Sequence, residues 1–91
     1  MIEVELDGEK ISSWEMLHDR LAVELGFPAW YGGNLDALYD CLTDIHEDTV
    51  LVISHREQLT DNLGDNGESL YRVLRRAQRE NQRFRVDYEK I

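Results

Sequence analysis

The chain has 91 residues, one cysteine and a net charge of −9. That length fits one domain, spanning 1–91, with a modest core, and the lone Cys41 allows no intrachain disulfide. No run approaches the roughly 18–20 apolar residues of a membrane span. No basic-then-apolar leader follows Met1, so the expectation is a soluble, cytoplasmic protein. The charge argues against nucleic acid and anionic membranes as partners, because phosphate binding needs clustered Lys and Arg, and it favours a basic partner. It is also uneven: residues 1–68 carry 16 acidic and 3 basic side chains, whereas 69–91 carry 3 acidic and 7 basic.

In chain order, the first predicted element is a strand at 2–6, where Ile2, Val4 and Leu6 alternate with Glu3 and Glu5. Such alternation buries one face and wets the other. Ser12 with Glu15 has the capping-box pattern. Trp14, Leu17, Leu21 and Leu25 follow at helical spacing until Gly26 and Pro28 end the helix. A second helix is expected from Asn34, a good N-cap, to about Ile45. Val50, Leu51, Val52 and Ile53 run unbroken, as in a central strand. A short helical turn is expected at 55–62 and a longer helix from Asn66 or Gly67, with Leu70, Val73, Leu74 and Ala77 on one stripe. A last alternating strand covers 84–88. Long helical crossovers imply parallel strands. The expected fold is therefore a two-layer α/β domain: a three-stranded parallel sheet covered by helices on one face.

The informative stretch is 30–44. Leu35, Leu38, Leu42 and Ile45 share a core face, while Asp36, Tyr39, Asp40 and Thr43 fall at i, i+3, i+4 and i+7 on another, with Asp44 beside them. No Lys or Arg occurs between residues 21 and 55. Asp36 suits the first turn, where the helix dipole favours an anion. Asp40 sits mid-helix, where aspartate is a poor helix former, and Asp44 lies where the dipole opposes it. Local rules broken in this way point to function, although a solvated polar face is the ordinary use of exposed charge.

The run Tyr31-Gly32-x-Asn34-Leu35-Asp36-Ala37-Leu38-x-Asp40-Cys41-Leu42-Thr43 resembles the barstar family, intracellular inhibitors of secreted bacterial ribonucleases such as barnase. Similarity extends to Asp7-Gly8-Glu9, Ile11, Leu17-His18, Glu24-Leu25, Pro28, Asn66-Gly67, Ala77 and Glu80, and is weak over 46–65. The resemblance implies a three-stranded parallel sheet with helices on one side. It also implies that the second helix and its preceding loop plug a ribonuclease active site. Asp40 would replace an RNA phosphate and Asp36 would pair with an active-site arginine. Trp30 would pack on the catalytic histidine, while Gly32, Asn34, Thr43 and Asp44 would add contacts. Tyr31 falls within the same loop. The chain departs from the family at four places: Arg76 stands where the family has a glutamate, Tyr39 and Ile45 stand where it has tryptophans, and Trp30 stands where it has a tyrosine, keeping a flat ring. Glu80, one turn after Arg76, is the alternative acidic contact.

Other chemistry is less well supported. His18, His46 and His55 lack a metal-binding spacing and Cys41 has no thiolate partner, so no metal or cofactor is expected. Cys41 reads as a small buried hydrophobe. Asp36, Asp40 and Asp44 could be read as a hydrolytic pair or a Mg²⁺ site, but no cleft-forming feature accompanies them, and no enzyme is expected. Arg72, Arg75, Arg76 and Arg79 follow helical spacing and read as a solvated face rather than a nucleic-acid patch. Two functions stand: an immunity-type ribonuclease inhibitor, monomeric when free and binding its secreted target 1:1, or a non-inhibitory acidic interaction module with another basic partner.

Overall fold

The computed structural model describes residues 1–89; residues 90–91, the end of the expected domain span, lie outside the described residues. The elements are β1 (Ile2–Asp7), α1 (Trp14–Leu25), α2 (Leu35–Thr43), β2 (Thr49–Ser54), α3 (Arg56–Leu63), α4 (Gly67–Glu80) and β3 (Phe84–Tyr88), with short 3-10 turns at Gly8–Lys10 and Gly64–Asn66. The strands lie in the order β1-β2-β3, all parallel. Val4 pairs with Leu51 and Leu51 with Val86; Leu6 pairs with Ile53 and Ile53 with Tyr88. These rows face the helices.

The core joins Val4, Leu6, Leu51, Ile53 and Phe84 of the sheet to Leu17, Leu21, Leu38, Leu42, Leu70, Tyr71 and Leu74 of the helices. Full burial of one such side chain is worth roughly 1.5–3 kcal/mol. The other sheet face is open. There Glu3, Val50 and Arg85 form one row, and Glu5, Val52 and Asp87 the next. Val50 is buried between its charged neighbours and stays outside the core cluster. This explains why β2 is apolar on both faces from Val50 to Ile53 while β1 and β3 alternate.

Two expected boundaries shift. The α1 cap is Ser13, whose side chain accepts from the Met16 N–H, while Ser12 donates to the Met16 sulfur. With the helix starting at Trp14, only Ser13 holds the N-cap position. α2 ends at Thr43 rather than Ile45, because Asp44 adopts a capping conformation, its N–H donating to the Cys41 carbonyl and the next N–H, of Ile45, to the Leu42 carbonyl. The turn expected at 55–62 is a full helix, Arg56–Leu63.

Gly8 is fixed by space. A Cβ there would lie 2.3 Å from the His55 carbonyl oxygen, so the first 3-10 turn packs directly against the β2–α3 junction.

Candidate functional site

α2 begins where Asn34 turns the chain into the helix. Its side chain accepts the Ala37 N–H at 2.8 Å, and Gly33 before it takes the left-handed conformation, φ +67°, that glycine tolerates best. Asn34 thus holds the helix start. Leu38 and Leu42 are fully buried, and their position turns Asp36, Asp40 and Asp44 outward. Among the described residues, Asp36 and Asp40 have no ion-pair partner, while exposed Asp44 lies 3.8 Å from His46.

The loop supplies the opposite wall. Trp30 is 81% exposed, the most open aromatic ring in the described residues. Trp30, Phe27 and Pro28 face Asp40, Thr43 and Asp44 across a groove of about 430 Å³. An apolar, ring-bearing wall opposite a carboxylate wall suits a planar or cationic group. Cys41 borders this groove, half-buried rather than fully buried as expected, and burial raises its thiol pKa. It lies one position from the core stripe, so α2 leaves it at the groove edge. Gly32 is exposed and has ordinary space around its α-carbon.

The remaining expected residues are placed unequally. Tyr31 is half-buried, and its hydroxyl lies 2.6 Å from His18 Nδ1. Burial raises the phenol pKa to about 12. The Thr43 hydroxyl turns back to donate to the Tyr39 and Asp40 carbonyls, leaving only its lone pairs for another molecule. Tyr39 packs on the core, and the Arg76 guanidinium lies over its ring at 4.8 Å. This brings α4 to the edge of the acidic face. Exposed Glu80 borders a hollow shared with Thr43 and Ile45 beyond the end of α2.

Three relationships were hidden in the linear sequence. Asn81 donates its side-chain amide to the Leu42 and Ile45 carbonyls, closing the C-terminal end of α2 from across the molecule. His18 is buried and holds Tyr31. His55 reaches Asp7 and Glu9, each at 2.9 Å, so three potential metal-ligating side chains meet that spacing alone had left apart. Each ring nitrogen of His55 already has a carboxylate partner, and these contacts tie β1 and the first 3-10 turn to the start of α3.

The family model for Barstar (barnase inhibitor) matches residues 1–89. A curated relative from Bacillus subtilis (strain 168), named "Putative ribonuclease inhibitor YrdF", is 38% identical over 81 residues, covering 88% of this chain and 89% of its own length. Among the described residues, no helix is long and apolar enough to cross a membrane. A parallel three-stranded sheet, an acidic second helix beside an exposed aromatic loop, and a match running from the first strand through the last place this chain in the barstar (barnase inhibitor) family.

Proposed function

We propose that the chain is a non-catalytic, immunity-type inhibitor that plugs the basic active site of a secreted microbial ribonuclease with α2 and the loop before it. The observation that carries this reading is the face formed by Asp36, Asp40 and Asp44, with no ion-pair partner for Asp36 or Asp40 among the described residues, set against the exposed ring of Trp30. A ribonuclease site binds a polyanion and is therefore cationic, and carboxylates on a helix imitate phosphates at little cost in ordering. Asp40, central on the helix and on the groove, takes the phosphate position. Asp36 meets a neighbouring arginine, and Trp30 covers an apolar or imidazole surface. Gly32, Asn34, Thr43 and Asp44 line the contact, with Tyr39 and Arg76 at its rim and Glu80 beyond. The chain acts as one unit in the cytoplasm, monomeric when free and binding its target 1:1.

The reading is tested by titrating the purified protein into barnase and following RNA cleavage, with calorimetry for stoichiometry. Loss of cleavage at one equivalent is expected. RNA cleavage by the protein itself would overturn the reading. Failure to inhibit a panel of microbial ribonucleases would leave a non-inhibitory acidic module in its place.

A further inference from the structure

The loop before α2 has few ties to the rest of the molecule. Among the described residues, the Tyr31 hydroxyl on His18 Nδ1 is the one hydrogen bond from 28–33 to anything outside the loop; the Tyr31 N–H to Pro28 carbonyl bond is internal. Gly32 and Gly33 offer no side chain, and Trp30 points into solvent. Tyr31 also packs on Phe27, with ring centroids 4.9 Å apart.

His18 is itself anchored. It is 7% exposed and stacks on Trp14, with centroids 6.0 Å apart and planes 25° apart. The Trp14 indole N–H donates to the Leu63 carbonyl at the end of α3. A line of rings, Trp14–His18–Tyr31, thus runs from α3 through α1 to the loop.

We propose that His18 is the positioning residue of the recognition loop, holding Tyr31, and through it Trp30, in the binding arrangement. This rests on the loop being part of the inhibitory surface. Burial keeps the Tyr31 phenol protonated and favours the neutral imidazole. The pair can be joined in either direction, the phenol O–H donating to the Nδ1 lone pair or Nδ1–H donating to the phenol oxygen, so the tie does not depend on the charge of the ring.

The test has two arms. In the free protein at pH 7.5, backbone ¹⁵N relaxation of residues 29–34 is measured. The loop amides of the wild type should be ordered. Tyr31→Phe and His18→Leu, which each remove one end of the tie, should make them mobile. His18→Asn, whose amide oxygen can stand where Nδ1 does, should keep them ordered. A Tyr31→Phe loop as ordered as the wild type overturns the proposal. Thermal melts show that the variants are folded, and Tyr31→Phe alone decides the matter if a His18 variant is not.

In the second arm, barnase is the probe. Tyr31→Phe should weaken inhibition about ten-fold at pH 7.5, and His18→Asn should inhibit as the wild type does. Wild type that fails to inhibit barnase at any pH counts against the inhibitor reading, whereas the relaxation arm still decides the role of His18.

Discussion

Arg76 of α4 lies over the ring of Tyr39 on α2, 4.8 Å from its centroid. A cation held over an aromatic face gains roughly 0.5–1 kcal/mol at an exposed site. This fixes a positive charge at the rim of an otherwise acidic surface. A barnase-like enzyme presenting a basic patch there would be repelled, whereas the natural partner should present a neutral or acidic one, since specificity often rests on repulsive elements. Arg76→Glu should tighten binding to barnase by about ten-fold, near 1.4 kcal/mol, and weaken binding to the natural partner. Calorimetry on both pairs checks this. Shifts in the same direction, or none, would remove Arg76 from the interface.

Asp40→Ala should be the most damaging single substitution for binding, ahead of Asp36→Ala. Truncating a buried, hydrogen-bonded charge at an interface costs on the order of 2–5 kcal/mol, a scale for which barnase–barstar is itself the measured example. Folding should survive, because Asp40 is exposed and replacing a mid-helix aspartate by alanine adds roughly 0.5 kcal/mol of helix propensity. Near wild-type affinity in a calorimetric titration would reject the proposed site.

Association with the ribonuclease should be fast at low salt and fall steeply as salt rises. The front of the chain carries most of its negative charge, and such fields steer encounter until a Debye length of about 8–10 Å screens them. Stopped-flow rates that stay level from low to high ionic strength would contradict this.

Asn81→Ala should destabilise the fold by about 1–3 kcal/mol, because the Leu42 and Ile45 carbonyls lose their side-chain donor. For a domain of this size the melting temperature should fall by roughly 4–8 °C per kcal/mol. Binding should weaken as well, since the end of α2 carrying Thr43 and Asp44 loses its closure. Urea unfolding with an unchanged midpoint would show that solvent replaces the amide without loss.

The fold class and the face of α2 were legible in the sequence because they depend on period. Alternation at 2–6 and 84–88 set two half-open strands. The unbroken 50–53 run set the central one, and leucines three and four apart set which side of α2 is buried and hence that Asp36, Asp40 and Asp44 face outward. Asn34 named the helix start because its side chain caps a neighbour only three residues away. Tertiary structure decided whatever joins residues distant in sequence. The pairing of Asn81 with Leu42 and Ile45, His18 with Tyr31, His55 with Asp7 and Glu9, and Arg76 with Tyr39 all need the helices packed before the partners meet. The choice of Ser13 over Ser12 as cap lay between neighbours of the same type, and the exact first turn of α1 decided it. A side chain's face follows from its own segment, but its partner follows from how segments pack, and that depends on the whole core at once.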